Sequence, residues 1–156
     1  MIPLQLGPAE CFHQLKAFLT ETGYTEPAVC QRLGLRAQHE VLTRKAPLTE
    51  RDSLGLLIRF LLLGERLEER LLREAWTAAV VDCLRKLGLV DGDASGPGLC
   101  HAAAFLYPIG QLHIASDRWT NPDGAHFSPP DDIVYPALTR NTHRFLSMLP
   151  TEPCQR

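Results

Sequence analysis

At 156 residues, with 45% hydrophobic and 22% charged side chains, the chain has the make-up of an ordinary globular protein and the length for a core of its own. A formal net charge of −2 supplies no diffuse positive field, so composition gives no reason to expect nonspecific attachment to nucleic acid or anionic lipid. The most apolar run, residues 54–63, is interrupted by Arg59 and falls well short of the roughly 20 residues a membrane span needs, which excludes a membrane helix.

Taken in chain order, Cys11, Phe12, Leu15, Phe18 and Leu19 recur at three-and-four spacing and predict a first helix over residues 8–21, stopped at Gly23. Thr25 can cap a second helix that tolerates Pro27 in its first turn and ends at Gly34. Thr49, with Asp52 three positions on, is a capping signal ahead of a helix apolar nearly all round, from Leu54 to Leu63, which belongs at the centre of the core and ends at Gly64. Leu67, Leu71, Leu72 and Ala75 mark one face of a shorter helix. Thr77 then caps a third, with Val80, Val81, Leu84 and Leu87 inward and Gly88 as its left-handed stop. The short turn around residues 75–77 suits a helix-turn-helix. A Gly-Pro loop over residues 92–98 leads to a strand at 99–107, a turn at Pro108-Ile109-Gly110 and a strand at 111–115. Three helices followed by a hairpin is winged-helix order.

Several motifs invite chemistry and fail on context. The acidic, glycine-rich loop Asp93-Ala94-Ser95-Gly96-Pro97-Gly98 has the look of a cofactor loop, but it lacks the buried strand before it and the helix after it, and reads as a wing. Ser128-Pro129-Pro130-Asp131 has neither the Asn carbonyl nor the stacking ring that would hold a target nitrogen, and reads as an extended linker. The third helix exposes Asp82, Arg85 and Lys86, a poor set for reading base edges. Among the histidines, only His101 and His113 are placed to face each other across the hairpin, and no third ligand accompanies them. The five cysteines, Cys11, Cys30, Cys83, Cys100 and Cys154, are scattered and read as reduced, mostly buried thiols. With no basic, apolar leader at the N-terminus, the expected location is cytoplasmic. No catalytic residue and no metal ligand is assigned.

The segment 116–149 carries the most information. An Asp117-Arg118-Trp119 turn is followed by a Pro-rich extended stretch, then by Asp131-Asp132-Ile133-Val134-Tyr135-Pro136. Pro136 is placed as the first residue of a helix whose stripe is Ala137, Leu138, Asn141, Thr142, Phe145, Leu146 and Leu149. This layout resembles the region that joins an N-terminal accessory domain to the nucleotide-binding domain in class I S-adenosylmethionine-dependent methyltransferases of the small-methyltransferase type, related to release-factor glutamine methyltransferases. The stretches that carry the resemblance are residues 54–64, 114–118 and 131–149.

What the resemblance implies is a chain that stops before a Rossmann-like catalytic domain. Its C-terminal helix would rest on that domain's sheet, and Asp132, Tyr135, Pro136, Thr139 and Thr142 would border the S-adenosyl-L-methionine pocket of the intact enzyme. The expected fold is mainly α with a small β-hairpin. Residues 1–48 would form a helical pair and linker, 49–118 a winged-helix-like domain, and 119–156 the linker and helix leading onward. The expected function is substrate recognition or dimerisation for a methyltransferase, with a protein or nucleic acid as methyl acceptor, a homodimer as a possible assembly and no membrane partner. Such a fragment alone would be inactive. The alternatives are a free-standing winged-helix DNA-binding regulator or a protein-interaction module.

Overall fold

The computed structural model describes residues 7–43, 47–92, 96–129, 131, 133 and 139–148. Helix α1 (Ala9–Glu21) turns Cys11 and Leu19 into the core, packs Leu15 and Phe18 against it, and ends where Gly23 takes φ 69°. Helix α2 (Glu26–Leu33) begins at Thr25, whose Oγ1 accepts the N–H of Ala28 at 3.4 Å, and closes on Gly34 at φ 67°. Both stops fall where glycine is needed, since a left-handed backbone costs other residues energy. A 3₁₀ segment, Gln38–Thr43, follows.

Helix α3 (Ser53–Leu57) continues as a π-helical turn, Ile58–Leu62, in which the N–H of Leu63 reaches back five residues to the Ile58 carbonyl at 2.9 Å. This is the central helix the sequence predicts: Leu56, Leu57, Ile58, Phe60 and Leu61 are fully buried. Its cap is Asp52 rather than Thr49, with Asp52 Oδ1 accepting the N–H of Gly55 at 3.1 Å. Gly64 ends it at φ 67°, and a Cβ there would lie 2.6 Å from the Phe105 ring, so both the turn and the close approach require glycine.

Leu67 is not the first residue of the next helix, as its spacing suggests, but half of strand β1 (Leu67–Glu68), drawn into the sheet by pairing with Cys100. Helices α4 (Glu69–Trp76) and α5 (Ala78–Lys86) are joined by Thr77 alone. Thr77 has φ 72° and ψ 151° and makes no side-chain cap, contrary to the capping role its residue type suggests. Strand β2 (Val90–Gly92) follows Gly88, and β3 (Leu99–Ala102) lies between β1 and β2 in an antiparallel sheet of order β1-β3-β2.

The strand expected over 99–107 is broken at Ala103, whose N–H turns away to the Leu89 carbonyl at 3.1 Å. Beyond the break, β4 (Ala104–Ile109) pairs with β5 (Leu112–Asp117) as a separate ribbon. Pro108 and Ile109 belong to the strand, and the turn is Gly110-Gln111 with Gly110 at φ 57°. That conformation matches a two-residue hairpin with glycine at its first central position. One apolar core runs from Cys11 on α1 through Trp76 to Ile109 on β4. Trp76 sits edge-on between Phe18 and Phe60 at 5.7 and 5.8 Å. Helix α6 (Arg140–Ser147) completes the described elements. The result is a mixed α+β fold, mostly helical, with small antiparallel sheets, and among the described residues no helix is long and apolar enough to cross a membrane.

Candidate functional site

The chain leaves the β4–β5 ribbon through Arg118, which is only 5% exposed. Its guanidinium donates to three backbone carbonyls: Ala102 at 2.7 Å, Gly64 at 2.9 Å and Thr120 at 3.2 Å. It also lies 5.1 Å from the centre of the Phe105 ring, which in turn faces Trp119 at 5.8 Å. Burial pulls the Arg118 pKa down to about 10, a group still charged at neutral pH, with its fork of donors spent on carbonyls. One side chain thus ties the end of α3, the end of β3 and the exit loop together. Sequence reasoning marked the Asp-Arg-Trp turn but gave Arg118 no role, because the carbonyls it serves lie far away along the chain.

Past this anchor, Asn121 Nδ2 donates to the His126 carbonyl at 2.8 Å and Asp123 Oδ1 accepts the N–H of Ala125 at 2.9 Å, which folds residues 121–126 into a compact turn. Between this loop and the β2–β3 sheet is a cavity of about 190 Å³ lined by Asp91, His101, Arg118, Thr120, Asn121 and Phe127. A wider, open groove of about 720 Å³ runs between α1, the start of α3 and the α4–α5 turn, over Phe18, Arg32, Asp52, Trp76 and Thr77.

Helix α6 starts from Thr139, whose Oγ1 accepts the N–H of Thr142 at 3.1 Å and lies 3.0 Å from the Thr142 hydroxyl. Of the five residues expected beside a cofactor, the structure brings these two together, as a helix cap. Asp132, Tyr135 and Pro136 lie outside the described residues, as does the helix start expected at Pro136. Along α6, Phe145 is 60% exposed and Met148, just past its end, 74% exposed.

The face of α4 and α5 is knitted by ion pairs. Glu69 accepts from Arg73 at 2.7 Å and from Arg85 at 2.7 Å, and Arg73 also reaches Asp82 at 2.6 Å. The Glu69 carboxyl is held below the usual carboxylate range, first by the Arg85 bond and then by the Arg73 bond. Arg85 and Asp82 are exposed, as the sequence suggests, and are engaged by neighbours on this face.

The two histidines expected to face each other do not. His101 is on β3 opposite Asp91, whereas His113 is on β5 opposite Pro108, stacked on Tyr24 with its Nε2 3.0 Å from the Tyr24 carbonyl. The break at Ala103 puts the two strands in different sheets. Among the described residues no cluster of three His, Cys, Asp or Glu could hold a metal ion. The thiols of Cys11, Cys83 and Cys100 are buried and free, and burial pushes Cys83 up to about 12 and Cys100 up to about 11, which suits packing rather than nucleophilic attack. No protein-family model, no curated protein and no solved structure matches this chain.

Proposed function

We propose that the chain serves as the N-terminal substrate-recognition or dimerisation region of an S-adenosylmethionine-dependent methyltransferase, with a winged-helix-like unit at residues 49–118 and methyl transfer performed by a Rossmann-like domain that follows. The observation that carries this reading is the exposure of two large apolar side chains at the end of the described chain, Phe145 on α6 and Met148 just past it, 60% and 74% exposed. Burying a side chain of that size is worth about 1.5–3 kcal/mol, so a neighbouring sheet is a favourable resting place for this helix. The winged-helix assignment draws support from the element order α3, β1, α4, α5, β2, β3 and from the strand order β1-β3-β2.

In the intact enzyme, S-adenosyl-L-methionine supplies a sulfonium methyl group for displacement by a nucleophilic N, O or C. Asp132, Tyr135, Pro136, Thr139 and Thr142 would border its pocket. Thr139 and Thr142 would contribute neutral hydroxyls whose positions the cap already fixes. The contribution of this chain is positioning: Arg118 sets where the exit loop leaves the body, and α6 carries the contact onward.

A DNA-binding regulator is the rival reading. The ionic network speaks against it, because Arg73 and Arg85 would have to abandon Glu69 and Asp82 to reach phosphates. Titration calorimetry with S-adenosylmethionine on a polypeptide extended past Arg156 tests the proposal: saturable cofactor heat is expected, and its absence removes the methyltransferase reading. Salt-sensitive retention on heparin that is lost when Arg85 and Lys86 are replaced would favour the rival.

A further inference from the structure

The cavity between the exit loop and the β2–β3 sheet is bordered by a buried cation that no carboxylate answers. Arg118 gives its donors to the carbonyls of Ala102, Gly64 and Thr120, yet among the described residues it makes no ion pair. Carbonyl dipoles satisfy the N–H groups of a guanidinium without cancelling its charge, and a charge taken out of water is normally matched by its opposite. The same cavity is lined by Asp91 of β2, whose carboxylate likewise makes neither an ion pair nor a hydrogen bond among the described residues. The two opposite charges thus border one space without meeting. Two donors accompany them. Asn121 spends one Nδ2 hydrogen on the His126 carbonyl at 2.8 Å and keeps the other, and the Thr120 hydroxyl has no partner among the described residues. Phe127 and Ala103 supply apolar surface, while His101 has a partner already and takes no part.

We propose that this cavity binds a small zwitterion of the α-amino-acid class, with its carboxylate beside Arg118, Asn121 and Thr120 and its ammonium beside Asp91. A bare anion would be repelled by Asp91 and a bare cation by Arg118, so a molecule that carries both charges is the one both residues favour. The volume sets the size: about 190 Å³ equals the share of about six water molecules at ~30 Å³ each, enough for alanine or serine and too little for a large aromatic amino acid. The donors are in place before a ligand arrives, because the Asn121–His126 and Asp123–Ala125 bonds already fold the loop that carries them. This site owes nothing to the methyl-transfer reading and is tested on the chain as it stands.

Titration with L-alanine and L-serine to about 20 mM, followed by amide ¹H–¹⁵N shifts, is expected to give saturable changes centred on Asp91, Thr120 and Asn121, with a Kd of about 1 mM or below. Acetate and ethylammonium, which each carry one of the two charges, are expected to bind at least about tenfold more weakly. Asp91→Asn keeps the shape of the wall and removes its charge; it is expected to weaken serine at least about tenfold and to leave acetate no weaker than before. Thr120→Val removes a donor from the other end and is expected to weaken serine about threefold to tenfold, which keeps the test open should the Asp91 variant unfold. The proposal is overturned if neither amino acid gives a saturable change, if acetate binds as tightly as serine, or if serine binding is indifferent to both substitutions.

Discussion

Replacing Arg118 by methionine isolates the contribution of the anchor, because the side chain keeps its apolar bulk and loses its donors. The carbonyls of Ala102 and Gly64 are buried and would be left without a donor, at about 2 kcal/mol each; the Thr120 carbonyl is partly open to water and costs little. Loss of the guanidinium over Phe105 adds about 1 kcal/mol. Against this, methionine relieves the burial of a cation. The fall in pKa from 12.5 to about 10 corresponds to about 3 kcal/mol in favour of the neutral form. The net loss is about 2 kcal/mol, or a melting temperature lower by about 4–8 °C in a chain of this size. Arg118→Lys retains the buried charge but cannot serve three carbonyls from one ammonium, so it is expected to lose more than methionine does. Urea unfolding followed by circular dichroism reads both values. If the methionine variant lies within about 0.5 kcal/mol of the parent, or lysine proves the milder change, the reasoning about Arg118 is wrong.

Thr77→Gly relieves a backbone that only glycine adopts comfortably, and after the extra freedom glycine brings to the unfolded chain is subtracted, a gain of about 0.5–2 kcal/mol in urea is expected; a loss would refute the strain. The Glu69 carboxyl has its pKa lowered by Arg85 and Arg73, so its contribution is present above the unfolded carboxylate pKa and disappears as pH falls through the lowered folded value. Glu69→Gln is therefore expected to flatten the acid limb of stability below the unfolded carboxylate pKa, by at most about 1 kcal/mol because the pair is partly exposed; an unchanged limb would assign the pH dependence elsewhere. Calorimetry on the extended polypeptide, with cofactor heat expected, stands as the functional prediction.

The stops at Gly23, Gly34, Gly64 and Gly88 were legible because a left-handed backbone is a local demand, and each of them has positive φ. The buried central helix was legible from its unbroken apolar run. What escaped is what distant partners decide. Two residues become β1 only because β3 is there to pair with them, and Leu67 therefore carried a helical spacing it does not use. The split at Ala103 follows from a bond to Leu89, and it moved His101 and His113 into separate sheets. Thr77 has the residue type of a cap but the backbone of a tight connection between packed helices. The anchoring of Arg118 depends on carbonyls from Gly64 and Ala102, which no local pattern announces. At the expected cofactor border, the sequence placed Thr139 and Thr142 one turn apart, and the structure uses them to start α6.

The proposed methyltransferase role requires α6 to lie against a catalytic domain. Amide hydrogen exchange over Asn141 to Met148, measured in the 156-residue chain and in a polypeptide continued into that domain, tests it directly. Exchange is expected to slow at least about a hundredfold in the longer polypeptide, with the effect lost on Phe145→Asp. Equal exchange in the two polypeptides would contradict it.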